Sequence, residues 1–135
     1  MELHAYGHRR GIVCAPRAAA VESGRRILAE GGNAIEALVA MAAAISAVYP
    51  HMSHIGGDAF WLIREPSRRV RAIMGVGAAG GRATRAFYRD AGDEEIPSRG
   101  PRAALTAPGA VASWSLALEA AKAQGGRLPL DVLLG

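Results

Sequence analysis

The residues Gly75-Val76-Gly77-Ala78-Ala79-Gly80 spell G-x-G-x-x-G between an apolar run ending at Met74 and a stretch able to open a short helix. A turn of this kind can lay a dinucleotide pyrophosphate on a helix N-terminus, because glycine lets backbone approach the phosphates closely. That chemistry also wants an acidic residue closing a second strand about 20 residues further on. At that distance Asp93, Glu94 and Glu95 stand in a polar stretch, and Arg69 and Arg71 flank and interrupt the preceding strand. These departures favour a plain glycine-rich connection, with a nucleotide-binding turn as its rival.

His51 and His54, with Asp58 nearby, have the residue types of a metal site. A loop gives them no fixed common face, and no third ligand follows at a diagnostic spacing. They read as loop-packing histidines, and neither metal nor cofactor is expected. Cys14 could in principle act as a nucleophile. Its apolar neighbours and the lack of a base beside it instead suggest a buried structural thiol. Asp93-Glu94-Glu95 reads as a solvated acidic loop.

The elements that must position these groups follow from periodicity and punctuation. Gly11-Ile12-Val13-Cys14-Ala15 reads as a buried strand, and Pro16 suits a first helical position. Over residues 17–30, Ala20, Val21, Ile27 and Leu28 recur at helical spacing, and Gly31-Gly32 ends the helix. Asn33 and Glu36 form a capping-box pattern for a helix over residues 34–48, which carries no charge after Glu36 and therefore demands enclosure. Pro50 stops it. Residues 59–63 and 70–74 read as a hairpin around Glu65-Pro66-Ser67-Arg68. Beyond it come a short helix over residues 83–88, a polar loop to Pro108, and a second alanine-rich helix over residues 109–124 closed by Gly125-Gly126. The last segment, from Leu128, opens a further helix.

With 135 residues, 50% of them apolar, the chain suffices for one core. Aromatic residues make up only 5%, so that core must come from close backbone approach and not from large rings. A formal charge of +4 could attract anionic partners, but all of the 16 basic residues except Lys122 are arginine and they are spread along the chain. No nucleic acid is expected as a partner. A single cysteine excludes an intrachain disulfide and is compatible with a reducing compartment. The first ten residues lack an apolar signal core, and the longest apolar stretch is too short for a membrane span, so a cytoplasmic location is the expectation.

Two glycine-anchored segments, Gly31-Gly32-Asn33-Ala34-Ile35-Glu36-Ala37 and Pro50-His51-Met52-Ser53-His54-Ile55-Gly56-Gly57-Asp58-Ala59-Phe60, bracket the buried helix in an order that resembles the N-terminal region of the gamma-glutamyltransferase (gamma-glutamyltranspeptidase) family. Gly11-Ile12-Val13-Cys14-Ala15-Pro16, Leu105-Thr106-Ala107-Pro108-Gly109-Ala110 and Gly126-Arg127-Leu128-Pro129 resemble further pieces of it. The resemblance implies an α/β (α+β) chain that forms part of an N-terminal-nucleophile αββα sandwich. It implies that residues 1–135 are the N-terminal segment of a large subunit, truncated and inactive alone. The partners implied are the remainder of that subunit, a small subunit carrying the nucleophilic threonine exposed by self-cleavage, and a small-molecule amide. Thr84 and Thr106 do not match the nucleophile motif, so no catalytic residue is assigned.

One family site maps here: an arginine after the second hairpin strand binds the α-carboxylate of gamma-glutamyl substrates. The matching stretch contains Gly75, Val76 and Gly77, with Val76 where that arginine falls. Neither valine nor glycine can make a bidentate carboxylate clamp. The resemblance therefore implies an acyl amide other than gamma-glutamyl, as in relatives that cleave oxamate or cephalosporin side chains. His54 replaces a glycine common in the family, and Asp58 resembles a residue of some branches. The rival to this enzyme is a non-catalytic, basic α/β binding module.

Overall fold

The computed structural model describes residues 4–8, 11–103 and 106–135, with backbone alone for residues 4–8. Arg9, Arg10 and Leu105, which entered the charge pattern and the family resemblance, lie outside these residues. The described elements run β1 (His4–His8), β2 (Gly11–Ala15), α1 (Ala18–Ala29), α2 (Ala34–Val48), β3 (Ala59–Arg64), β4 (Val70–Gly75), α3 (Arg85–Asp90), α4 (Ala110–Ala123) and α5 (Leu130–Leu134). β1 pairs antiparallel with β2, and β3 with β4, as separate two-stranded sheets. β1 was not legible beforehand, because its glycine and histidines carry no apolar alternation.

Helix α1 stops where the two glycines stand. Gly31 takes φ 89°, and the amides of Gly31 and Gly32 donate to the carbonyls of Leu28 and Ile27, satisfying two orphan acceptors in a Schellman arrangement. Asn33 then caps α2, accepting from the amides of Ile35 and Glu36 at 3.0 Å each, while Glu36 Oε2 accepts the Asn33 amide at 2.7 Å. The expected capping box is thus complete. Its second function lies across the molecule: Glu36 Oε1 accepts the Leu128 amide at 2.7 Å, and Asn33 Nδ2 donates to the Ala121 carbonyl at 3.0 Å. One buried carboxylate therefore fastens the start of α2 to the turn that links α4 and α5.

The core joins α1 and α2 with Val13 of β2, Trp61 and Ile63 of β3, Ala117, Ala120 and Ala121 of α4, and Leu133 of α5. All four apolar positions read on α1 are buried. Gly24 is buried between them, and a Cβ there would stand 2.5 Å from Met41 Sδ and 3.0 Å from Val13 Cγ1. The close approach expected of an alanine- and glycine-rich core occurs at this crossing.

Several expectations need correction. Cys14 is exposed and not a buried thiol: Val13 and, in part, Ala15 of β2 face the core, and strand alternation turns Ile12 and Cys14 outward. Pro16 precedes the helix, with Arg17 as N-cap. Helix α2 is not enclosed all round: Leu38, Ala47 and Val48 are exposed and residues 42–46 are half-buried. Both hairpin strands run one residue longer than expected, and the short helix after them starts at Arg85 because the Thr84 hydroxyl caps it by accepting from the Phe87 amide.

Candidate functional site

Gly75, Val76 and Gly77 leave the end of β4 beside the start of β3, because the ladder places Ala59 opposite Gly75. Three segments converge there. The Gly57 carbonyl accepts from the amides of Gly109 and Ala110 at 3.0 and 2.9 Å, which ties the start of β3 to the first turn of α4. The Ala107 amide donates to the Ala78 carbonyl at 3.0 Å, and Ala79 bridges Thr106, so the chain before α4 runs along residues 78–79.

The glycines allow this crowding. A Cβ on Gly75 would lie 2.5 Å from Ser113 Cβ, one on Gly109 would overlap the Gly75 carbonyl, and one on Gly77 would overlap the Ala107 carbonyl. Ser113 is itself fixed, donating to the Ala110 carbonyl at 2.6 Å and accepting the Trp61 indole N–H at 2.8 Å. Gly75 is buried, Gly77 half-buried, and Val76 between them is 44% exposed. The loop is anchored at both ends and presents one side chain.

Asp58 completes the arrangement, its Oδ1 accepting the Gly77 amide at 3.4 Å. The sequence had drawn Asp58 into a metal pattern with His51 and His54. The structure separates them: the His51 ring stacks edge-on against Tyr49 at 4.3 Å, and His54 folds over Gly56 and Gly57. Among the described residues no group of three or more potential metal ligands forms. Ser113 and Trp61 were missed as site supports. A tryptophan in a buried strand needs an acceptor for its N–H, but nothing local names Ser113 as that partner.

The G-x-G-x-x-G pattern does not build a dinucleotide turn. Gly75 and Gly77 receive the chain's own backbone and Ser113, Gly80 has open space around it, and no helix begins until Arg85. A cleft of about 730 Å³ lies at the other end of the hairpin among Asn33, Leu38, Leu62, Glu65, Arg71 and Gln124, and none of residues 75–77 lines it. Its charged pair, Glu65 with Arg71 at 3.0 Å, is already satisfied internally. Arg25 and Arg102 likewise pair with Glu22 and Asp93. The hydrogen bond from Arg25 holds the exposed Glu22 carboxyl below its ordinary range. No helix among the described residues is long and apolar enough to cross a membrane.

Residues 20–135 match the family model described as gamma-glutamyltranspeptidase. The chain is 51% identical over 125 residues to the oxamate amidohydrolase proenzyme of Klebsiella pneumoniae, covering 92% of this chain and 23% of that protein. The crystal structure of Helicobacter pylori gamma-glutamyltranspeptidase superimposes with a TM-score of 0.79 at 28% identity, covering 96% of this chain and 36% of that one. The cephalosporin acylase of Bacillus halodurans gives 0.78 at 32% identity, covering 96% and 25%. The chain therefore spans about a quarter of the length of the curated relative. Its fold class is the one the family resemblance implied, a mixed α/β part of an N-terminal-nucleophile hydrolase sandwich.

Proposed function

Because this chain belongs to the gamma-glutamyltranspeptidase family, we propose that it forms part of an amide-bond hydrolase or acyltransferase whose acyl group is not gamma-glutamyl held in the usual way. The observation that carries this is Val76, exposed on an anchored loop at the position where the family resemblance places a carboxylate-binding arginine. An exposed valine offers apolar contact and no donor. Gly75 and Gly77 then serve as the loop's anchors, and binding of the acyl group falls to Val76 and the backbone beside it.

In this reading residues 1–135 open a large subunit, and the remainder of that subunit and a small subunit complete the enzyme. A threonine exposed on the small subunit attacks the amide carbonyl, with its own α-amine as base and hydrogen-bond donors on the oxyanion. The oxamate amidohydrolase and cephalosporin acylase relatives support an amide substrate outside the gamma-glutamyl class.

The test uses the full-length processed enzyme against oxamate, glutathione and a cephalosporin amide. An arginine clamp contributes charged hydrogen bonds of about 1.5–3 kcal/mol each, so its absence is expected to put kcat/KM for glutathione about tenfold or more below the preferred amide. Val76→Arg should narrow that gap. Efficient glutathione hydrolysis by the unmodified enzyme overturns the substrate assignment.

A further inference from the structure

Asp58 has a role that the loop's own glycines cannot supply. Gly75 is held by packing on Ser113 and Gly109, and Gly77 abuts Ala107, but steric contact limits where backbone can go without drawing it into one place. The hydrogen bond from the Gly77 amide to Asp58 Oδ1 joins residues 19 apart in sequence and is directional. The base of that carboxylate is rigid: Ala59 is in the β3–β4 ladder, and the preceding carbonyl, on Gly57, holds two amides of α4. Asp58 is exposed, so neither core packing nor the strand pairing calls for a carboxylate there.

We propose that Asp58 is a positioning residue for substrate recognition: its carboxylate holds the Gly77 amide and so fixes where Val76 stands against the acyl group. The proposal rests on residues 75–77 being the acyl-binding loop. Asp58 touches no reacting atom and acts through the loop.

The experiment compares Asp58→Ala and Asp58→Asn in the full-length processed enzyme by amide hydrogen exchange at Gly77 and by steady-state kinetics on whichever of oxamate, glutathione and the cephalosporin amide is turned over. Loss of one charge-assisted hydrogen bond at this length is expected to speed Gly77 exchange about tenfold in D58A and to raise KM about fivefold or more, with kcat within about threefold. D58N keeps an oxygen acceptor and should restore both to within about threefold of the unmodified enzyme. Unchanged exchange in D58A overturns the proposal, as does a D58N enzyme no better than D58A. Faster exchange with unchanged KM overturns it too, and in that case the acyl-binding assignment of residues 75–77 is what fails. An enzyme that favours glutathione but shows the exchange and KM effects would overturn only the substrate class.

Discussion

At the scale of single residues, position decides what a common side chain does. Glu36 looks like a helix-start glutamate, yet it is 2% exposed and each of its oxygens takes a different amide, Asn33 on its own helix and Leu128 across the fold. Glu36→Ala leaves two half-buried donors without that partner, so a loss of about 1–3 kcal/mol is expected in denaturant unfolding of the complete protein. Glu36→Gln should also destabilise, because its amide group would point a donor at one of those amides. Gly77 poses the opposite problem. Gly77→Ala sets a methyl against the Ala107 carbonyl, and backbone cannot swing aside as a side chain can, so a cost at or above the upper end of about 1–3 kcal/mol is expected in the same measurement. Glu36 was legible as a cap because its Asn33 partner lies three residues away. Its Leu128 partner, 92 residues away, was not.

At the scale of elements, the helices were legible from their ends. Gly31-Gly32 and Gly125-Gly126 close α1 and α4 in the same way, with Gly31 and Gly125 at φ 89° and 82° and the following glycine amides returning to Ile27 and Ala121. What stood out less was the crossing of α1 and α2. Gly24 sits mid-helix, where glycine weakens the helix by up to about 1 kcal/mol against alanine, and its reason is the Met41 side chain packed on it. Methionine is unbranched and can shift. Gly24→Ala, whose Cβ already meets Met41 and Val13, should lose its helix gain to that crowding and be near neutral by thermal unfolding, whereas Gly24→Val, whose branches press further on both, should cost about 1–3 kcal/mol. A Gly24→Val protein as stable as the parent would mean that the helices separate without penalty. The β1–β2 hairpin marks the limit of pattern reading: β2 was found through its β-branched residues, β1 was not, and the exposure of Cys14 follows from a strand buried on one face only.

At the scale of the whole molecule, the hairpin has two unlike faces. Trp61 and Ile63 enter the core, while Phe60, Leu62, Val70 and Met74 on the other face are 70%, 79%, 60% and 73% exposed. Four large apolar side chains exposed on one face of a hairpin are the kind of surface that a partner covers. On the proposal that the rest of a two-subunit enzyme covers this face, residues 1–135 expressed alone should bind a hydrophobic dye and melt broadly, while the complete protein binds little dye and melts sharply; a sharp melt of the short chain would count against that covering. The helix stops, the cap of α2, the strands β2, β3 and β4 and family membership were present in the sequence by itself, because caps, glycine stops and strand patterning act between residues a few positions apart. Only the tertiary structure decided that Gly77 lies on Ala107, that Asp58 reaches the Gly77 amide, and that Val76 is the residue left facing outward. Those contacts depend on how separate elements pack, and packing is set by the whole core and not by any local run of residues.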